Sequence, residues 1–444
     1  MNKITTPTES VSFVAPTAQA ERLTILDSLR GIAILAILLM NIPGFGLPHI
    51  ATSDPGIIGE TGKNYYIWYI IDWVFDSTQR GIFSILFGAG IILFITRLEK
   101  RLSGIQPAEY FFRRQLWLLL FGLINVFVLL FSGEILYAYA ICGMLLFAFI
   151  RLSPKKLFIA AFICFLLSIA RENKNLYHDK SIINDGETVA LLDTTTLKLN
   201  SAQYESLKKM QAFKNENSHE EKKKEFDKQV TMTRGGFWDI YKIQSEEGVA
   251  SQTIGFYSFF WELVFLMLLG MGFYKTGIIT ATRSFKTYLL LFIIGFGIGL
   301  PLSYLQLQPE IHFGFNRYEI TKNAFFGFKQ ISRFFRTIGF LGLIMLLYKS
   351  GRFTRLFNLM RPVGQMAFTN YLMQIIICGI IFYGIGFSMF ARLQRYELYY
   401  VMAGVWVFQI IFSHFWLKYF RYGPFEWLWR SLTYWKLQPI KKEG

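Results

Sequence analysis

Three polar residues punctuate one apolar stretch near the N-terminus. In RLTILDSLRGIAILAILLMNIPGFG (22–46), Asp27 and Arg30 come just before a long apolar run and Asn41 closes it. Spaced three apart, Asp27 and Arg30 share a helix face and can pair. Arg30 and Asn41 are eleven apart, about 20° off one line and roughly 16 Å along a helix axis. One face thus presents a cation at one boundary and an amide towards the other. Two readings follow. Arg30 is a snorkelling anchor held by Asp27, with Asn41 as helix-packing glue, or it is a corner that binds an anionic donor, with Asn41 continuing a polar path.

Other polar groups stand inside apolar segments, where a polar residue is by default a candidate site. Glu262 lies in SFFWELVFLM, as a proton or acceptor site or as the partner of an arginine on another helix. Asn370 and Gln374 are one turn apart in TNYLMQIIIC, and so are Gln409 and Ser413 in WVFQIIFSHFW, two stripes suited to interhelical hydrogen bonds. Asp72 and Asp76 are likewise a turn apart in YYIWYIIDWVFD. RYGPFEWLWR carries Arg421, Glu426 and Arg430 among aromatics. It reads as an interfacial belt, or as a Glu426–arginine lock that gathers cations beside Arg30 for the phosphates of a nucleotide-containing donor. No zinc, P-loop, dinucleotide or Ser-His-Asp signature is present, and no metal is expected.

The elements that must position these residues follow from composition. The 444 residues are 53% hydrophobic, 18% aromatic and only 17% charged, too apolar for soluble domains. Apolar blocks of near-spanning length recur at 31–47, 81–96, 115–131, 135–150, 156–170, 255–274, 287–306, 334–348, 364–386 and 399–417. The expected fold is an all-α, polytopic integral membrane helix bundle of about ten transmembrane helices, since only helices or closed barrels satisfy the backbone in lipid. Segment 65–76 is expected to be an amphipathic interfacial helix leading into the span at 81. Residues 1–20 hold no run long enough for a cleaved signal.

The charge of +16 clusters beside span ends in RLEKRL, FFRR, RLSPKK and YKSGRFTRLF. This pattern calls for anionic membrane lipids rather than nucleic acid, and it places both termini in the cytosol. The basic loop 307–336 would then be external, an exception with no account from sequence beyond an anionic partner. The chain divides into an N-terminal membrane half (1–170), a polar extracytoplasmic insert (171–250) in which Ser201 is a plausible N-cap, and a C-terminal membrane half (251–444).

LDSLRGIAILAILLMNIPGFGLP, FSILFGAG, GQMAFTNYLMQ and FRYGPFEWLWRSLTY together resemble the YeiB-like family of bacterial inner-membrane proteins, of the domain-of-unknown-function 418 type. The Arg-Gly helix is in turn similar to that of transmembrane acyltransferases, including O-acetylating enzymes of surface glycans and the heparan glucosaminide N-acetyltransferase. The resemblance implies movement of an acyl group from a cytosolic acyl-coenzyme A (acyl-CoA) to a glycan, lipid or small-molecule acceptor at the outer face. Where the O-acetylating branch has a catalytic histidine, this chain has Asn41, and an amide is no general base. His49, in the following loop, holds a position loosely similar to the histidine of the heparan enzyme. YeiB-like proteins commonly show a histidine in the third span and an aspartate in a GDIL turn, against Asn125 and Glu134 here. The resemblance therefore implies His49 and Glu134 as catalytic groups, with an acceptor site near Asp72. The alternative is a transporter or export component for a small or lipid-linked solute, its path lined by Glu262, Asn370, Gln374 and Gln409.

Overall fold

The computed structural model describes residues 23–59, 61–192 and 198–442; the N-terminal segment expected to lack a cleaved signal lies outside them. The described chain is helical throughout, without a β-strand. The N-terminal half comprises α1 (Thr24–Gly46), α2 (His49–Ser53), α3 (Lys63–Ile70), α4 (Thr78–Glu99), α5 (Gln106–Phe127), α6 (Leu136–Leu146) and α7 (Pro154–Ala190). The insert continues with α8 (Ser201–Glu216), α9 (His219–Thr233) and α10 (Phe237–Ala250). Then follow α11 (Phe256–Lys275), α12 (Phe285–His312), α13 (Arg317–Asn323), α14 (Lys329–Lys349), α15 (Thr354–Gln365), α16 (Ala367–Phe382), α17 (Arg395–Tyr419) and α18 (Pro424–Tyr434).

Among the described residues six helices are long and apolar enough to cross a membrane, or seven if α15 and α16, bent by 78°, make one span. The remaining apolar windows of the sequence are helical as well: 115–131 falls largely in α5, 135–150 in the short α6 and 156–170 in α7. Exposed side chains form apolar stripes suited to lipid: Ile159, Phe162 and Ile163 on α7, Leu290 and Ile293 on α12, and Val407 and Ile411 on α17. The protein is a membrane helix bundle.

Segment 65–76 leads into α4 as expected. It forms α3 and a π-helical turn, Ile71–Phe75, and the whole of Lys63–Glu99 makes one run of 37 residues. That run is about 55 Å long, far beyond a hydrocarbon core of about 30 Å. Ser77, at φ 58°, marks the break between its two parts.

The helices of the insert are continuous with the bundle at both edges, through α7 and through α10 into α11. Its first polar helix is capped one residue earlier than the sequence suggested. Asn200 is the N-cap, accepting from the Gln203 backbone N–H while Gln203 Oε1 accepts from that of Asn200. The asparagine outcompetes Ser201 because it closes this reciprocal box. The insert is pinned to the loops at that end by Lys222–Asp54 (2.7 Å), Arg317–Asp179 (3.6 Å) and Lys322–Glu187 (2.6 Å). A small core of Ile183, Met210 and Tyr318 lies beneath.

The Arg-Gly step has a packing reason. α1 and α15 cross so closely that a Cβ on Gly31 would stand 2.0 Å from the Met360 carbonyl oxygen, and one on Gly364 1.7 Å from that of Asp27. Only glycine allows this approach from both sides.

Candidate functional site

The start of α1, the end of α4 and the start of α5 meet at one end of the bundle, where α18 packs across them. Here five arginines, Arg30, Arg97, Arg101, Arg114 and Arg430, line the mouth of a cavity of about 280 Å³. Arg30 reaches Asp27 at 3.2 Å, as its spacing suggested. Arg114 lies 3.5 Å over the Trp429 ring and 5.1 Å from that of Phe94. The Trp429 indole N–H donates to the Arg114 carbonyl at 3.0 Å. Arg114 lies within Coulomb range of both Arg30 and Arg430, so the mouth concentrates positive potential. Glu426 is the one carboxylate of the lining. It accepts from the backbone N–H groups of Phe368 (2.7 Å) and Thr369 (3.0 Å) and from the Thr369 hydroxyl (2.5 Å). It therefore caps the exposed N–H groups of α16, in place of the arginine lock read from the sequence. Arg421 stands outside the lining.

From the mouth the cavity follows α4 inward, from Arg97 past Phe94, Gly90 and Phe87 to Phe83. Fourteen residues of helix make about 21 Å, most of the thickness of a hydrocarbon core. Its inner end is bounded by Ile135, Leu136, Tyr139 and Tyr371. Tyr139 is satisfied: its hydroxyl is 2.6 Å from Ser84 Oγ and donates to the Arg80 carbonyl at 3.3 Å. The hydroxyl of Tyr371 and Oε1 of Gln115 are buried without a hydrogen-bond partner.

Beside that inner end sits Glu134, 3% exposed. Its carboxylate accepts from the backbone N–H groups of Leu136 and Tyr137, the latter at 3.0 Å, and from Asn125 Nδ2 at 3.4 Å. Asn125 and Glu134, both singled out in the sequence, are thus neighbours. Glu134 anchors the first turn of α6 at the cavity wall.

The remaining candidates lie elsewhere. Asn41 is half-buried and outside the cavity lining. His49 is exposed; its backbone N–H donates to Gln229 Oε1 (2.8 Å), whose amide donates to Glu247 (2.8 Å). Asn370, Gln374, Gln409 and Ser413 bond one another. Asn370 Nδ2 donates to Ser413 Oγ (3.0 Å), Gln374 Nε2 to Gln409 Oε1 (3.1 Å) and to the Ile34 carbonyl (3.0 Å), and Gln409 Nε2 to the Asn370 carbonyl (2.7 Å). They join α16, α17 and α1 and do not line the cavity.

Glu262 belongs to a buried charge network at the opposite end of α4. It pairs with Arg80 at 2.8 Å and lies 4.0 Å from Arg333. Arg333 holds Asp76 with two hydrogen bonds (2.8 and 3.1 Å). Arg336 donates to the carbonyls of Asp72 and Trp73 (2.9 and 2.8 Å), acceptors that the π-helical turn leaves available. The basic loop 307–336 that broke the charge rule is therefore matched from within the chain: Arg333 by Asp76, Arg317 by Asp179 and Lys322 by Glu187. The Lys322 ammonium, with a lesser contribution from the Tyr318 hydroxyl, holds the half-buried Glu187 carboxyl below its ordinary pKa.

A family model described as "Protein of unknown function (DUF418)" matches residues 273–436. YeiB of Escherichia coli strain K12 is 29% identical over 420 residues, covering 93% of this chain and 96% of its own length. YxaH of Bacillus subtilis strain 168 is 29% identical over 454 residues, covering 98% and 99%. The C-terminal segment thus matches the DUF418 model, and the chain is similar to YeiB-like proteins along nearly its whole length. Both relatives are bacterial and are named as uncharacterized proteins. No solved structure matches the chain. Within the DUF418 segment stand Tyr371, Glu426, Trp429 and Arg430, which build one wall of the cavity, and Arg333 and Arg336 of the charge network. Sequence reasoning missed Arg97, Arg101, Arg114, Gln115, Tyr139 and Tyr371. The arginines had been counted as topology signals, and the other three carry no local mark.

Proposed function

We propose that this protein is a transmembrane acyltransferase of the bacterial inner membrane, with both termini cytosolic. It takes an acyl group from a cytosolic acyl-CoA and delivers it to a glycan, lipid or small-molecule acceptor at the outer face. One observation carries the reading: a cavity leads from five arginines at one end of the bundle to the side of Glu134, about 21 Å further in along α4. The arginines suit the donor's phosphates, which guanidinium groups bind with paired hydrogen bonds. The apolar walls suit the thin acyl-bearing arm.

In transfer, the acceptor's hydroxyl or amine attacks the thioester carbonyl. The carbon–sulfur bond breaks, and the proton lost by the acceptor ends on the departing sulfur. Glu134 and His49 are the groups proposed to carry that proton, since both sequence positions otherwise associated with histidine are amides. Membrane lipids surround the bundle, and a lipid-linked or glycan acceptor would approach from the end that bears His49.

The transporter reading draws less support. Asn370, Gln374 and Gln409 spend their hydrogen bonds on one another and on α1, and Glu262 is held by Arg80. The test is turnover of labelled acetyl-CoA by purified protein in lipid nanodiscs. Arg30→Ala should abolish donor binding, and His49→Ala should abolish transfer while donor binding persists. Undiminished transfer in either variant removes that residue from the mechanism, and no binding by the wild-type protein removes acetyl-CoA as donor.

A further inference from the structure

The throat of the cavity is not uniformly apolar, and its polar groups bear on what fits. A phosphorylated lipid with a hydrocarbon tail would be matched by a hydrocarbon wall. Instead the amide of Gln115, 3% exposed, is part of the lining. Its Oε1 has no hydrogen-bond partner, a costly state for a buried acceptor. The amide is held in place. A Cβ on Gly143 would stand 2.8 Å from Gln115 Oε1 and 3.2 Å from the Phe87 ring, so the glycine of α6 leaves room for the side chain between α5, α6 and α4.

The depth of this group matters. Arg114 and Gln115 are adjacent in sequence, yet the guanidinium lies over Phe94 and the amide packs near Phe87. Those two rings are seven residues apart on α4, about 10 Å along its axis. The site therefore offers cations at the mouth and, two turns deeper, a neutral group that both donates and accepts hydrogen bonds. A chain with phosphates at one end and a secondary amide a short extended distance away fits both. An isoprenoid or fatty tail offers nothing to the amide and would leave it unpaired.

We infer that Gln115 is the specificity contact for an amide of a pantetheine arm, so that the cavity selects a coenzyme A thioester over other phosphorylated amphiphiles. This rests on the acyl-transfer reading, and it assigns the donor subsite within it. Gln115 touches the donor arm and takes no part in the chemical step. Its loss weakens binding of arm-bearing ligands and leaves ligands that occupy only the arginine mouth untouched.

The experiment is equilibrium binding to the full-length protein in nanodiscs, for wild type and Gln115→Leu. Acetyl-CoA is compared with adenosine 3′,5′-bisphosphate, which has phosphates and no arm, and farnesyl diphosphate is used as competitor. The expected result is a loss of about tenfold in acetyl-CoA affinity in Gln115→Leu, the size of one well-made hydrogen bond, with bisphosphate affinity unchanged. Farnesyl diphosphate should compete weakly with acetyl-CoA in the wild type. Unchanged acetyl-CoA affinity in Gln115→Leu, or farnesyl diphosphate competing as well as coenzyme A, overturns the subsite and leaves the donor reading standing. Absence of acetyl-CoA binding by the wild type overturns both. Should Gln115→Leu lose the bisphosphate too, Gln115→Asn, which keeps an amide on a shorter chain, is judged by the same criteria.

Discussion

Glu262 offers the sharpest test of how this bundle is held together. Its side chain is 5% exposed and contacts Arg80 at 2.8 Å, with Arg333 at 4.0 Å behind it. Glu262→Gln removes the anion and leaves Arg80 facing Arg333 without the carboxylate between them. Arg333 keeps its two hydrogen bonds to Asp76, so the uncompensated charge is that of Arg80. Breaking a buried pair costs about 3–5 kcal/mol, and we expect a loss of about 3 kcal/mol because the Arg80 side chain is 28% exposed and partly solvated. Arg80→Met should cost a similar amount by stranding the carboxylate. The double variant leaves no stranded charge, and replacing both partners of a buried pair is often close to neutral. Its stability should therefore exceed that expected from adding the two single losses by more than about 2 kcal/mol. The measurement is reversible unfolding in mixed micelles, followed by tryptophan fluorescence, for the four proteins of the cycle. Losses that add to within about 0.5 kcal/mol would show that the two charges do not compensate each other, and the argument from geometry would fail.

Three further outcomes are expected. Glu426→Ala should destabilise the protein by about 1–2 kcal/mol, the worth of a strong N-terminal cap; an unchanged unfolding midpoint would mean that its contacts with Phe368 and Thr369 contribute nothing. Gly364→Ala should cost about 1–3 kcal/mol through overpacking of α1 on α15, whereas Gly44→Ala, with open space around it, should not show that clash; equal losses would refute the close-approach account. Glu187 is held below its ordinary pKa by Lys322, so its stabilisation is fully present above the unfolded carboxylate value of about 4.3 and is lost as pH falls through the lower folded value. The gap in unfolding midpoint between wild type and Glu187→Gln should therefore exist at neutral pH and close in strong acid, and a gap that stays constant would exclude the linkage.

How much of this was legible beforehand depends on whether a signal was local. Spacing along one helix placed Asp27 beside Arg30, and it read the stripes Asn370/Gln374 and Gln409/Ser413 as hydrogen-bonding seams between two spans, as their mutual bonds bear out. Composition gave the all-helical membrane bundle, because burial in lipid leaves the backbone few choices. What could not be read was convergence. Arg97 and Arg101 flank the end of α4 and Arg114 lies near the start of α5, where a basic residue already has a sufficient explanation in topology. Only the folded chain turns these three towards Arg30, beside which the sequence had offered a place for the cations of RYGPFEWLWR alone. The same holds for loop 307–336, which broke the charge rule as a sequence because its partners, Asp76, Asp179 and Glu187, lie 135 or more residues away along the chain. Gln115 was passed over because it directly follows Arg113 and Arg114 at the head of its apolar segment, where a polar residue reads as part of the boundary. The nearest thing to a signal was Gly143, and a glycine inside an apolar helix has many uses. The site therefore emerges where several residues, each with an adequate separate explanation, acquire a shared one by facing the same cavity.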